Sequence, residues 1–126
     1  MELDYDFVRE LMIECADSSS LYGPSDKELM NFANARHASR AKLAFTVDRL
    51  FEAGYIQKAS RYASDGPAII MPGNLTWSGN EYLNNIRSNS VWEETKNKIK
   101  NAGISTSLTI LGSVASSVIK AKLNLN

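Results

Sequence analysis

The stretch SDKELMNFANARHASRAKLAFTVDRLFEAGYIQ, residues 25–57, decides the fold. Ser25-Asp26-Lys27-Glu28 is a capping box, in which the Ser hydroxyl accepts from one orphan amide and the Glu carboxylate from another. It starts a helix from Asp26 to about Arg36 that buries Leu29, Met30, Phe32 and Ala33. His37-Ala38 is a short break. Ser39 then caps a second helix of the stretch, with Leu43, Val47 and Leu50 as its inward stripe and Gly54 as its stop. Two helices joined this tightly, with a glycine handing the second to an extended segment, set the local geometry for everything around them.

Upstream, residues from about Leu3 to Asp17 read as a helix capped by Asp4, with Phe7, Val8, Leu11, Met12 and Cys15 on its apolar side. Downstream the period shortens to two. Tyr55–Tyr62 and Ala68–Pro72 are β-prone runs separated by Ala63-Ser64-Asp65-Gly66-Pro67, which predicts a hairpin with a loop longer than two residues. Thr76 caps a fourth helix. Ser90-Val91-Trp92-Glu93 predicts a second capping box and a fifth helix ending at Gly103. Ser105 to about Leu123 predicts a sixth. Three helices followed by a hairpin is the order of a winged helix-turn-helix. The expected fold class is therefore α+β, mostly α: a winged helix-turn-helix over residues 1–75 and a C-terminal helical extension over 76–126.

A second stretch carries a family resemblance. Leu75-Thr76-Trp77-Ser78-Gly79-Asn80-Glu81-Tyr82-Leu83-Asn84-Asn85-Ile86-Arg87, followed by Val91-Trp92, resembles the signature of an uncharacterised phage and prophage family, one of the domains of unknown function. Leu3-Asp4-Tyr5-Asp6-Phe7-Val8-Arg9 is similar to that family's first helix, and the segment ending Lys120-Ala121-Lys122-Leu123 to its last. The resemblance implies a winged-helix-like fold and a mobile-element origin. It implies no catalytic residues. The long lead-in Asn34–Lys42 and a hairpin turn with one glycine, Gly66, depart from the pattern.

The chain has 126 residues, room for one domain with an extension, and 14 basic residues balance 14 acidic ones. A neutral protein with a pI near 6.6 does not bind nucleic acid by bulk charge. By region the charge is uneven: −5 over residues 1–24, +2 over 25–75, zero over 76–90 and +3 over 91–126. Arg36, Arg40, Lys42, Arg49, Lys58 and Arg61 fall where a winged helix meets phosphates, and Ser39 stands at a helix N-terminus. The leading expectation is a non-enzymatic regulator binding duplex DNA as a homodimer. In it Arg36, Ser39, Arg40, Lys42, Lys58 and Arg61 contact phosphates, while Thr46 and Arg49 approach base edges.

With Leu43, Val47 and Leu50 inward, the outward face of the third helix carries Ala41, Lys42, Phe45, Asp48, Arg49 and Glu52. Its two acids oppose phosphate binding. Phe45 has three readings: contact with a thymine methyl, anchor of a protein interface, or cover by the C-terminal helices. The alternative function is a protein-binding effector or antirepressor that engages a host or phage protein through Phe45 and the sixth helix, whose stripe Leu108, Leu111, Ala115 and Val118 is also the expected dimer surface.

Nothing in the chain suggests catalysis. There is no glycine-rich phosphate loop and no nucleophile elbow. His37 has no companion ligands and reads as a turn or phosphate contact, so no metal and no cofactor are expected. Trp77 is expected to pack the hairpin onto the body, and Trp92 to pack its helix. Cys15, the single cysteine, reads as a buried apolar residue suited to a reducing interior. The uncharged run from Asn101 to Ile119 is amphipathic and diluted by Gly and Ser, so a cytoplasmic protein without a membrane span is expected.

Overall fold

In a computed structural model the protein is described over residues 1–125. It is α+β and mostly helical, with six helices and one two-stranded antiparallel sheet among the described residues. The elements are α1 (Tyr5–Asp17), α2 (Asp26–Ala35), α3 (Arg40–Glu52), β1 (Arg61–Ala63), β2 (Gly66–Ile69), α4 (Trp77–Ile86), α5 (Asn89–Ala102) and α6 (Leu108–Lys122). The chain divides into two compact units, Met1–Asn80 and the remainder from Glu81 onward.

In the first unit the capping chemistry is as read. Asp4 accepts from the Phe7 amide, Ser25 and Glu28 form the reciprocal box, and Ser39 accepts from the Lys42 amide. The α2–α3 break turns on His37, which sits in the left-handed region at φ 56°, a conformation His tolerates better than most residues. The Ala38 amide then donates back to the Ala33 carbonyl at 2.9 Å. Phe7, Val8, Leu11 and Met12 of α1, Leu29 and Phe32 of α2, and Leu43, Val47 and Leu50 of α3 are buried. The Phe7 and Phe32 rings meet at 5.4 Å.

The hairpin is shorter than expected. β1 and β2 pair Tyr62 with Pro67 and Ala63 with Gly66, which leaves a two-residue loop, Ser64-Asp65. Gly66, at φ 128°, begins the return strand directly, so the predicted five-residue turn is partly ladder. The approach to the hairpin forms an isolated bridge between Ile56 and Leu75, and the Gln57 and Lys58 amides donate to the Pro72 carbonyl.

In the second unit α5 starts two residues earlier than expected. Its cap is Ser88, which accepts from the Val91 amide, rather than Ser90. Gly103 ends it at φ 67°. Ser107 caps α6, which packs on α5. Trp92, Thr95, Leu111, Ala115 and Val118 are buried, and Gly112 lies against the Tyr82 ring. No helix among the described residues is long and apolar enough to cross a membrane.

Candidate functional site

Most cations expected to meet phosphates are already engaged. Arg36 pairs with Glu10 at 3.1 Å and lies over the Phe32 ring at 3.9 Å. Lys42 pairs with Asp4 at 2.8 Å and lies over the Phe7 ring. Arg49 pairs with Glu52 at 2.6 Å and covers the Phe45 ring at 5.1 Å. Each of these pairs spends a cation on an acid of its own chain. The acidic first segment and the basic second one therefore neutralise each other across α1, α2 and α3.

Arg40 goes further. Its Nη1 and Nη2 donate to the two Asp26 oxygens at 2.8 and 2.9 Å, its Nε to the Pro67 carbonyl at 3.0 Å, and Nη2 also to the Ala68 carbonyl at 3.1 Å. Asp26 in turn accepts from the Ile70 amide at 2.8 Å. The Arg40 guanidinium holds the Asp26 carboxyl below the ordinary Asp value, helped by that amide and opposed by burial. Arg40 is thus a clamp between two helix starts and β2, not a free phosphate contact.

Two further expectations are corrected. Thr46 is buried, and its hydroxyl donates to the Lys42 carbonyl at 2.7 Å, so it presents nothing to a base edge. Asp48 does not stand out as a lone acid. It accepts from the Ser60 amide at 2.7 Å and from the Tyr62 hydroxyl, which fastens the hairpin to α3. Phe45 is half-buried between Arg49 and the hairpin. It lines a shallow depression of about 260 Å³ with Met1, Ala41, Asp48, Tyr62 and Pro67.

Of the expected contacts Arg36, Ser39, Lys58 and Arg61 are exposed, Arg36 with its cation already on Glu10. Ser39 keeps its hydroxyl on the Lys42 amide. Lys58 and Arg61 lie at the entrance to the hairpin, and their side-chain cations pair with no acid among the described residues. They flank a groove of about 390 Å³ whose apolar surface comes from Phe51, Ala59, Ile69 and Met71. Phe51 and Met71 are each 44% exposed and Ile69 39%. Period-two alternation builds it: Ile70 is fully buried while its neighbours Ile69 and Met71 face outward. Arg61 is the register partner of Ile69, which places a cation beside the apolar floor. The run Ala68-Ile69-Ile70-Met71 carried that signal, but an uninterrupted apolar run also fits a strand buried on both faces.

The remaining interface expectations fall in the second unit and at its border. Leu111, Ala115 and Val118 are buried within the chain and Leu108 is half-buried, so most of this stripe is spent on α6's own packing. Trp92 is buried as expected. Trp77 is not: it is 80% exposed at the first position of α4. Cys15 is buried, and burial pushes its thiol up to about 12, which disfavours the thiolate.

The family described as Hypothetical protein (DUF2513) matches residues 2–105. That span covers α1 to α5 and stops before α6. A protein of Haemophilus influenzae (strain Rd), described as "Uncharacterized protein", is 27% identical over 123 residues, covering 98% of this chain and 99% of the relative. No solved structure matches.

Proposed function

The chain belongs to the Hypothetical protein (DUF2513) family, and within that family we propose that it is a non-catalytic winged-helix module that works by holding another protein, not by reading duplex DNA. The element order α1-α2-α3-hairpin and the tight α2–α3 break support the winged-helix assignment. One observation carries the choice of partner. Each of the four cations read as contacts at the α2–α3 break and along α3 is paired with an acid of the same chain: Arg36 with Glu10, Arg40 with Asp26, Lys42 with Asp4 and Arg49 with Glu52. Affinity for duplex DNA comes largely from counterions released as cations neutralise phosphates. A face of closed ion pairs has little of that to offer, since each pair has to open before a phosphate is met.

A duplex-DNA regulator is the second reading. Lys58 and Arg61, unpaired beside the hairpin, favour it. A titration of the full chain on random-sequence duplex at low salt separates the two. The protein-binding reading expects no association with DNA at micromolar protein. Association that falls steeply with added salt, and that is lost in Lys58→Glu/Arg61→Glu, overturns it in favour of DNA.

A further inference from the structure

The groove beside the hairpin brings the free cations Lys58 and Arg61 together with the exposed apolar side chains Phe51, Ile69 and Met71. Resting on the protein-binding reading, we infer that this groove takes an acidic peptide segment of a partner protein, anchored by one or two large apolar side chains. The chemistry of the lining selects that occupant. Phe51, Ile69 and Met71 form an apolar floor that gains by losing water, and Lys58 and Arg61 flank it with positive charge. Their charge has no acidic partner among the described residues, whereas the neighbouring cations Arg40 and Arg49 are closed by Asp26 and Glu52. An incoming carboxylate meets two open cations here and closed pairs on α3.

The same lining excludes other occupants. Two copies of the chain meeting groove to groove would bring four cations together around one apolar contact, which repulsion opposes. A duplex presents a convex, polar backbone that leaves the apolar floor without a partner. Strand addition to β2 has little backbone to use: Pro67 lacks an N–H, and the carbonyls of Pro67 and Ala68 are taken by Arg40. The segment is therefore held by its side chains, apolar ones on the floor and acidic ones on Lys58 and Arg61.

Fluorescence anisotropy with the labelled peptide EDLFED tests this on the full chain, against EDSSED, which lacks the apolar anchors, and KKLFKK, which reverses the charge. EDLFED is expected to bind, with each control weaker by about tenfold or more. Lys58→Glu/Arg61→Glu and, separately, Ile69→Ser/Met71→Ser are each expected to weaken EDLFED by about tenfold, and both alter exposed residues only. Failure of EDLFED to bind, equal binding of EDLFED and EDSSED, or binding indifferent to both variants overturns the inference. So does a solution dimer dissolved by Met71→Ser, which assigns the groove to self-association. Absence of both peptide and DNA binding removes this inference alone. Salt-steep DNA binding that displaces the peptide removes the protein-binding reading with it.

Discussion

The Asp26 carboxylate and the Arg40 guanidinium meet through two parallel hydrogen bonds of 2.8 and 2.9 Å, and Arg40 also holds β2 while Asp26 holds Ile70, the residue that follows it. Asp26 accepts from the Ile70 amide, and Arg40 donates to the Pro67 and Ala68 carbonyls. Asp26 opens α2 and Arg40 opens α3. One ion pair thus fixes the spacing of two helix starts and the position of the strand whose outward residues floor the groove.

Removing either partner strands the other. Arg40→Ala leaves Asp26 without its guanidinium and two strand carbonyls without a donor. It is expected to cost about 2–3 kcal/mol, since charge-assisted bidentate bonds are worth more than neutral ones. Chemical denaturation measures this. A double-mutant cycle with Asp26→Asn should show strong non-additivity, because both variants break the same network. Additive effects would mean that the two side chains act independently.

Asp26 and Asp4 make stability depend on acid. Arg40 holds the Asp26 carboxyl, and Lys42 the Asp4 carboxyl, below the ordinary value of 3.8. A depressed native value means that the unfolded chain binds the proton more readily, so this stabilisation is complete above that ordinary value and is lost as pH falls through the lowered one. The midpoint of urea unfolding should fall steeply over that acidic range. In Asp26→Asn it should start lower at neutral pH and fall less on acidification. Parallel curves for the two proteins would count against the linkage.

Asp48 should govern both the hairpin and one phenol. The hydrogen bond from Tyr62 to Asp48 raises the Tyr62 phenol above its ordinary value of 10, with burial and the carboxylate's charge adding to it. The absorbance titration of the wild type minus that of Tyr62→Phe should show a phenol ionising late, and Asp48→Asn should bring it back toward the ordinary value. Asp48→Ala also strands the amide of the buried Ser60, at an expected cost of about 1–3 kcal/mol. An unshifted Tyr62 would contradict the contact.

Gly79 is a helical glycine that should not accept a methyl group. A Cβ there would stand 2.1 Å from the Tyr55 carbonyl oxygen, a backbone atom that cannot swing aside. Helix propensity alone favours Gly79→Ala by about 1 kcal/mol. Overpacking against backbone is expected to reverse that sign, for a net loss of about 1–3 kcal/mol. A variant that melts at or above the wild-type temperature would show that α4 and the residue 55 backbone are not in close contact.

The local features were legible in the residues themselves. Ser25 with Glu28, Ser39, Asp4, Gly103 and the apolar stripes of α1, α2 and α3 declare helix starts, stops and inward faces, because caps and periodicity act within one or two turns of chain. Where a local signal was ambiguous the boundary moved: Ser88 rather than Ser90 caps α5, and the hairpin loop closed to two residues.

What the side chains do once folded was not legible. Sequence counts Arg36, Arg40, Lys42 and Arg49 as available charge. The fold brings Arg36, Arg40 and Lys42 within hydrogen-bond reach of acids 14 to 38 residues away, and the basic face becomes a set of closed pairs. Asp48 looked like an obstacle on a recognition helix and is the fastener of the hairpin. Ile69 and Met71, read only as part of a β-prone run, are the floor of an open groove. Capping and periodicity are decided by neighbours in the chain. Which charges remain free, and which apolar side chains remain wet, depends on residues distant in sequence, so only tertiary contacts decided them.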